Sequence, residues 1–239
     1  MHQSADTLGR LFLQFYWRPG FRRILDIGSL DVNGSLRVYA PAGAEYIGID
    51  MASGLGVDVV LDDPYRYPFP DNYFDAIVST SCFEHDPMFW LTFLEALRVF
   101  SPNGFLYINA PSNGMYHSYP TDNWRFYPDA GLALLQWAER SKCPAHLVES
   151  FIAGRSGGDD TDDLAKMWND FVMIFVKGDV APPPRLICET IPIVYNVRRA
   201  GQPDISNRQD LSEDARIICG QRRQLNDIQD VIGRNYRIS

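Results

Sequence analysis

Brief apolar runs and helix-spaced apolar stripes alternate through most of this 239-residue chain. Residues 23–27, 46–49, 57–61, 74–79 and 105–109 are short and rich in β-branched or aromatic side chains, the pattern of strands buried on both faces. Residues 8–16, rich in Leu and Phe and closed by Pro19-Gly20, predict a short helix that packs on the sheet or covers a ligand. Residues 35–39 predict a modest helix ended by Pro41. Phe89, Phe93, Leu94, Leu97 and Phe100 recur at helical spacing, with Pro87 in the opening turn and Asn103-Gly104 as the stop. Another helix is predicted over 128–140. Residues 146–152 and 171–176 read as final strands, paired antiparallel at the sheet edge. The alternation predicts an α/β fold, a mostly parallel seven-stranded sheet with helices on both faces, which receives ligands at the carboxyl ends of its strands.

The character changes after Lys177. Pro182-Pro183-Pro184 forms a stiff connector, and the residues beyond it carry arginine but no lysine. We therefore divide the chain into a domain over 1–179 and a C-terminal extension over 180–239 that serves packing or oligomerisation. Within the extension, Leu211, Ile217, Ile218, Leu225, Ile228 and Val231 predict an amphipathic helical tail, suited to the body or to a second subunit in a homodimer. The formal net charge of -8 disfavours nucleic acid as a partner. Four cysteines without a Cys-x-x-Cys pair suit reduced thiols. No run has the length of a membrane span and no signal peptide is evident, so a cytoplasmic protein is expected. The small, acidic stretch 154–163 reads as a solvated loop, since it lacks the ligand spacing of an EF-hand.

The strand over 23–27 leads into Gly28-Ser29-Leu30-Asp31-Val32-Asn33-Gly34, an acid and a glycine at the mouth of a buried strand. About twenty residues on, the next strand ends in Asp50, from which a carboxylate can accept hydrogen bonds from both ribose hydroxyls. Only Gly28 and Gly34 punctuate the turn, so the three-glycine dinucleotide fingerprint is absent and NAD is disfavoured. Taken singly, each strand-end acid has a plainer reading as a turn or cap residue.

Together these segments resemble the class I S-adenosylmethionine-dependent methyltransferases, in the methyltransferase type 11 branch. The resemblance covers roughly the first 110 residues and includes Tyr67-Pro68-Phe69-Pro70-Asp71-Asn72-Tyr73-Phe74-Asp75, followed by Phe83-Glu84-His85. It implies a Rossmann-like fold and S-adenosylmethionine as cofactor. By resemblance, Asp26 lies near the methionine amino group, Asp50 holds the ribose, and Asp63 or its competitor Asp62 meets the adenine amine. Gly28, Ser29, Asn33, Gly34, Met51, Ser79 and Ser81 complete the expected cofactor site. The family turn is usually a compact Gly-x-Gly-x-Gly; here it is longer, which allows Asp31 or Asn33 into the site.

Acceptor chemistry is expected in the long loop after the strand over 105–109, because a loop of this length in a compact domain is usually functional. His117 is the candidate base, with Asp122 as its orienter or an alternative base. Tyr116, Tyr119, Trp124 and Phe126 are candidates for an aromatic wall, and Arg125 for holding an acceptor carboxylate or phosphate. Equally, Trp124 and Phe126 would serve as loop anchors and Arg125 as the partner of Asp122 or Asp129. The pattern His-x-x-Pro-x-Asp-x-Trp-Arg-Phe-Tyr-Pro-Asp over 117–129 looks like methyltransferases found with glycan and polysaccharide biosynthesis, which implies O-methylation of a sugar hydroxyl. A phenolic or other small metabolite is the alternative acceptor, and a non-catalytic S-adenosylmethionine-binding assembly protein the alternative class. Glu84-His85 reads as a cap for the following helix, and no metal is expected there, because two adjacent residues rarely converge on one ion without further ligands.

Overall fold

The computed structural model describes residues 3–154 and 169–236. The acidic stretch lies outside them beyond Gly154. In chain order the elements are α1 (Gln3–Tyr16), β1 (Arg23–Ile27), a 3-10 turn (Leu36–Tyr39), β2 (Glu45–Asp50), β3 (Val59–Val60), β4 (Phe74–Thr80) and α2 (Phe89–Val99). There follow β5 (Phe100–Pro111), α3 (Ala130–Arg140), β6 (His146–Ala153), β7 (Asp170–Val176), a second 3-10 turn (Ile187–Glu189), β8 (Val194–Arg199) and α4 (Glu213–Tyr236). One sheet holds all the strands in the order β3-β2-β1-β4-β5-β7-β6-β8. The first five run parallel, whereas β7, β6 and β8 continue the sheet antiparallel.

The fold is thus Rossmann-like, with one strand more than the expected seven. The additional strand, β8, contains Arg198-Arg199 and Asn196, a composition that hides it from a hydrophobic reading. An edge position tolerates it, because only one side of β8 pairs with a strand, β6. Two predicted elements shrink. The third strand keeps only Val59–Val60, since the Asp58 carboxylate turns back to accept the Gly48 amide at 2.7 Å and to pair with Arg37. The segment after Ser35 makes a single 3-10 turn, capped by Ser35 Oγ accepting from the Arg37 amide at 3.2 Å.

Period-two alternation divides the core between the two faces of the sheet. On one face Leu25, Ile27, Ile77, Leu106, Ile108, Met173 and Phe175 meet Phe93 and Leu97 of α2 and Leu134 of α3. On the other, Ile24, Val78, Phe105, Tyr107, Val172 and Ile174 meet Leu8, Phe12 and Tyr16 of α1. Aromatic rings set the seat of α1, with Phe12 stacked on Tyr107 at 5.0 Å and Tyr16 edge-on to Phe105 at 5.0 Å.

The extension is tied to this core. Glu149, fully buried in β6, accepts the Tyr16 hydroxyl at 2.6 Å and the amides of Ile187 and Cys188 at 2.9 and 3.0 Å. Its carboxylate therefore joins α1, β6 and the 3-10 turn beyond the prolines. From Ile218 to Ile232 α4 stands exposed, including Ile218, Leu225, Ile228, Val231 and Ile232. Among the described residues no helix is long and apolar enough to cross a membrane.

Candidate active site

The carboxyl ends of β1, β2, β4 and β5 converge on a loop system that opens at Gly28. Gly28 has a φ of 77°, and a Cβ there would lie 2.7 Å from Cys82 Cβ and Sγ, so the turn admits only glycine. The amides of Gly28 and Ser29 both donate to the Ile49 carbonyl, at 3.0 and 3.1 Å, and pin the β1 loop to β2. Asp50 reinforces the junction, one oxygen accepting the Leu30 amide at 3.1 Å and the other the Ala52 amide at 3.1 Å. A carboxylate has about four lone-pair sites, so Asp50 keeps acceptor capacity for a ligand while its rotamer is fixed.

Asp26 is buried in β1 and accepts the Tyr46 hydroxyl at 2.8 Å. Burial raises its pKa to about 6, against the lowering influence of Tyr46 and Arg37. Ser79 is also buried, and its hydroxyl donates to the Ile27 carbonyl at 3.1 Å, clamping β4 to β1. Ser81 turns the chain at a φ of 52° while its amide donates to the Asn109 carbonyl at 3.0 Å. Asp31 accepts the Gly34 amide at 2.6 Å and so braces the long turn, leaving Asn33 and Gly34 exposed. Met51 is exposed on the far side of Asp50. Asp62 and Asp63 are both exposed, and Asp63 accepts the Tyr65 amide at 2.9 Å. Three buried oxygens near these strand ends, Ser29 Oγ, Thr80 Oγ1 and Asn109 Oδ1, have no hydrogen-bond partner among the described residues. With the carboxylates of Asp26 and Asp50 they make the strand ends rich in acceptors, a composition that suits a cationic ligand bearing hydroxyl and amino donors.

The loop after β5 folds back over the β4 end. The amides of Asn123 and Trp124 donate to the Glu84 carbonyl at 2.7 and 3.1 Å, Thr121 Oγ1 and Asn123 Nδ2 donate to the His85 carbonyl at 2.9 and 2.8 Å, and Trp124 Nε1 donates to the Asp86 carbonyl at 2.9 Å. Phe89 meets Trp124 and Phe126 edge-on at 5.5 and 4.9 Å. Phe126 is buried by this packing and anchors the loop instead of facing an acceptor. Trp124 is partly exposed, while Tyr116 and Tyr119 stand in solvent.

Arg125 is spent inside the loop. Its guanidinium grips both Asp122 oxygens, at 2.5 and 2.8 Å, and donates to the carbonyls of Trp124 and Met115 at 2.8 and 2.6 Å. These bonds leave it badly placed to hold an acceptor carboxylate or phosphate. The same pairing holds the Asp122 carboxyl down at about 2, which makes Asp122 a poor base and a good orienter. Asp122 accepts the His117 amide at 2.7 Å and lies 3.4 Å from His117 Nδ1.

Against the cap expectation, Glu84 and His85 do not cap α2. The helix starts at Met88 without a side-chain cap, and Asp86 braces the turn before it, accepting the Met88 amide at 2.9 Å and the Thr92 hydroxyl. Glu84 is 1% exposed, and burial pushes its carboxyl up to about 8. His85, its pKa lowered by burial, contacts the Thr121 carbonyl through Nδ1. The His85 and His117 rings meet edge-on at 5.1 Å, which brings His117 to the Glu84-His85 pair. Sequence spacing carries no trace of this meeting; the fold-back of the loop creates it.

A model of the methyltransferase domain family matches residues 25–108, the segment that contains Asp26, Asp50, Asp63 and Glu84 but not the acceptor loop. A fatty-acid O-methyltransferase from Mycolicibacterium smegmatis is 29% identical over 154 residues, 55% of this chain and 54% of that protein. The chain thus spans about half the length of this curated relative. Among solved structures, the 4+2 cyclase SpnF is similar with a TM-score of 0.56 and 19% identity, over 74% of this chain and 83% of that one. An S-adenosylmethionine-dependent methyltransferase from Archaeoglobus fulgidus is similar with a TM-score of 0.52 and 18% identity, over 73% of this chain and 94% of that one. The structural likeness shows the fold, and the matched segment places residues 25–108 beside the methyltransferase domains.

Proposed function

We propose that the protein is a cytoplasmic S-adenosylmethionine-dependent methyltransferase that methylates a sugar hydroxyl in glycan or polysaccharide synthesis. The observation that carries the reading is the set of acceptors at the strand ends, all but Asn109 lying within the segment matched by the methyltransferase domain family. Asp50 would receive the ribose hydroxyls, Asp26 would face the methionine ammonium, and Asp63 or Asp62 would accept from the adenine amine. When bound, S-adenosylmethionine would supply an electrophilic methyl group for transfer to the acceptor oxygen, with its sulfur leaving as a neutral sulfide. His117, oriented by Asp122, would take the hydroxyl proton, and Tyr116, Tyr119 and Trp124 would border the sugar. General-base help of this kind is typically worth about 10²–10⁴-fold.

A second acceptor class is favoured by a specific observation. Phe89, Trp90, Ala130, Ala133, Leu134 and Trp137 line an apolar groove of about 330 Å³ next to Trp124, a lining that suits an apolar chain. With the fatty-acid O-methyltransferase as a relative, this supports an acceptor oxygen on a lipid-like or phenolic small metabolite. The remaining alternative is an assembly protein that binds the cofactor without turnover, because one fold hosts many chemistries. Incubation with radiolabelled S-adenosylmethionine against nucleotide sugars, glycans, phenols and fatty acids tests the acceptor. Label transfer to sugars supports the first reading, transfer to apolar acids or phenols the second, and none to any oxygen acceptor opposes both. The exposed apolar residues of α4 would pair two copies of the chain in a homodimer.

A further inference from the structure

One carboxylate oxygen of Glu84 and one imidazole nitrogen each of His85 and His117 lie within 4.8 Å of one another. We propose that these three side chains bind a single divalent transition-metal ion beside the acceptor loop. Metal–ligand bonds of about 2.0–2.2 Å bring ligand atoms on one ion to about 3–4 Å from each other, so a small adjustment of His117, the member carried by the loop, closes the set.

Two features of the cluster call for a cation. His85 Nδ1 contacts the Thr121 carbonyl. A carbonyl only accepts, so Nδ1 carries the hydrogen and Nε2 of the neutral ring presents a lone pair. Nε2 lies 3.7 Å from Glu84 Oε1, too far for a hydrogen bond and suitably spaced for two ligands of one ion. Independently, Glu84 is 1% exposed and its second oxygen, Oε2, has no hydrogen-bond partner among the described residues. A carboxylate this deeply buried with one oxygen unpartnered is costly, and coordination to a cation offsets the cost.

The surroundings supply supporting contacts of the kind metal histidines use. Thr121 fixes the tautomer of His85, and Asp122 holds the backbone of His117 and lies 3.4 Å from its Nδ1. Arg125 Nη2 stands 3.4 Å from the same nitrogen, and its charge is matched by its two-oxygen grip on Asp122. Two imidazoles and one carboxylate select zinc and its first-row neighbours over magnesium or calcium. The remaining coordination position would lie beside the acceptor loop, where an ion would lower the pKa of a bound hydroxyl. An occupied site would take His117 out of use as a free base, so the proton-transfer role of His117 is that of the metal-free protein. Metal binding itself stands apart from the methyltransferase reading, because it needs neither cofactor nor acceptor.

The test is calorimetric titration of chelator-treated full-length protein with zinc chloride, with elemental analysis after desalting and the visible spectrum of the cobalt form. The expected result is one equivalent of zinc and a cobalt spectrum of an imidazole-bound site, with affinity in Glu84→Gln and in His117→Ala reduced by more than the roughly 10–100-fold that loss of an outer supporting contact costs. His146→Ala, at an exposed histidine of β6, is the control that leaves binding unchanged. Thermal melting confirms that each variant folds. Substoichiometric zinc in the wild type, or equal binding by wild type, Glu84→Gln and His117→Ala, overturns the proposal and marks any bound zinc as adventitious.

Discussion

The Tyr46 hydroxyl donates to Asp26 Oδ2 at 2.8 Å inside the sheet, so the acid that opens the candidate cofactor site is held by a phenol from the neighbouring strand. Burial raises Asp26 from 3.8 to about 6, and the folded protein therefore keeps this proton to higher pH than the unfolded chain does. Ionising Asp26 costs stability as pH climbs through that window. Asp26→Asn removes the cost and should stabilise the ligand-free protein at neutral pH by up to about 3 kcal/mol, while weakening cofactor binding. Thermal melts from pH 4 to 8 read the effect as a gap between variant and wild type that widens with pH. A gap independent of pH would refute it.

Glu149 should be the most sensitive position outside the site. Its carboxylate serves Tyr16, Ile187 and Cys188 at once, and Glu149→Ala strands three buried donors. We expect a loss of about 3–5 kcal/mol in urea unfolding. Truncation after Asp179 should destabilise comparably, because it removes two of the three Glu149 partners, Ile187 and Cys188, together with β8 at the sheet edge. A truncated chain as stable as the full one would restore 1–179 as an independent unit.

His117→Ala is predicted to lower turnover by about 10²–10⁴-fold with little change in cofactor affinity, since His117 belongs to the acceptor loop. Asp122→Asn should mimic part of this loss by freeing Arg125 and the His117 backbone. Single-turnover methyl transfer together with cofactor titration separates the two effects. Equal losses in cofactor affinity and turnover would count against a role in proton transfer.

In α4, Ile218, Leu225 and Ile232 recur every seven residues, with Ile228 between them on the same side, and all are exposed. A stripe of this period suits a paired helix. Sedimentation at micromolar concentration should give a dimer that Leu225→Glu converts to monomer. A monomeric wild type removes the homodimer.

The succession of strands along the chain and their terminal acids are legible in the sequence because buried parallel strands are continuous apolar runs whose ends are marked by Asp26-Ile27-Gly28 and Asp50, whereas their order across the sheet is not. β8 is not, since an edge strand carries Asn196 and two arginines without penalty. The roles of Arg125 and Phe126 are half legible. Residue type announces a guanidinium and an aromatic ring, but only the folded loop turns Arg125 onto Asp122 and Phe126 onto Phe89. The Glu84, His85 and His117 cluster is illegible, because its members meet through a loop held by backbone bonds of Asn123 and Trp124 to Glu84.

The central claim concerns the cofactor, and calorimetric titration of the purified protein with S-adenosylmethionine and its demethylated product tests it directly, beside an Asp50→Ala variant shown by melting to be folded. Micromolar binding of both ligands by the wild type, lost in the variant, is the predicted result. Absence of binding by a folded wild type would contradict the account and return Asp50 to its bonds with Leu30 and Ala52 alone.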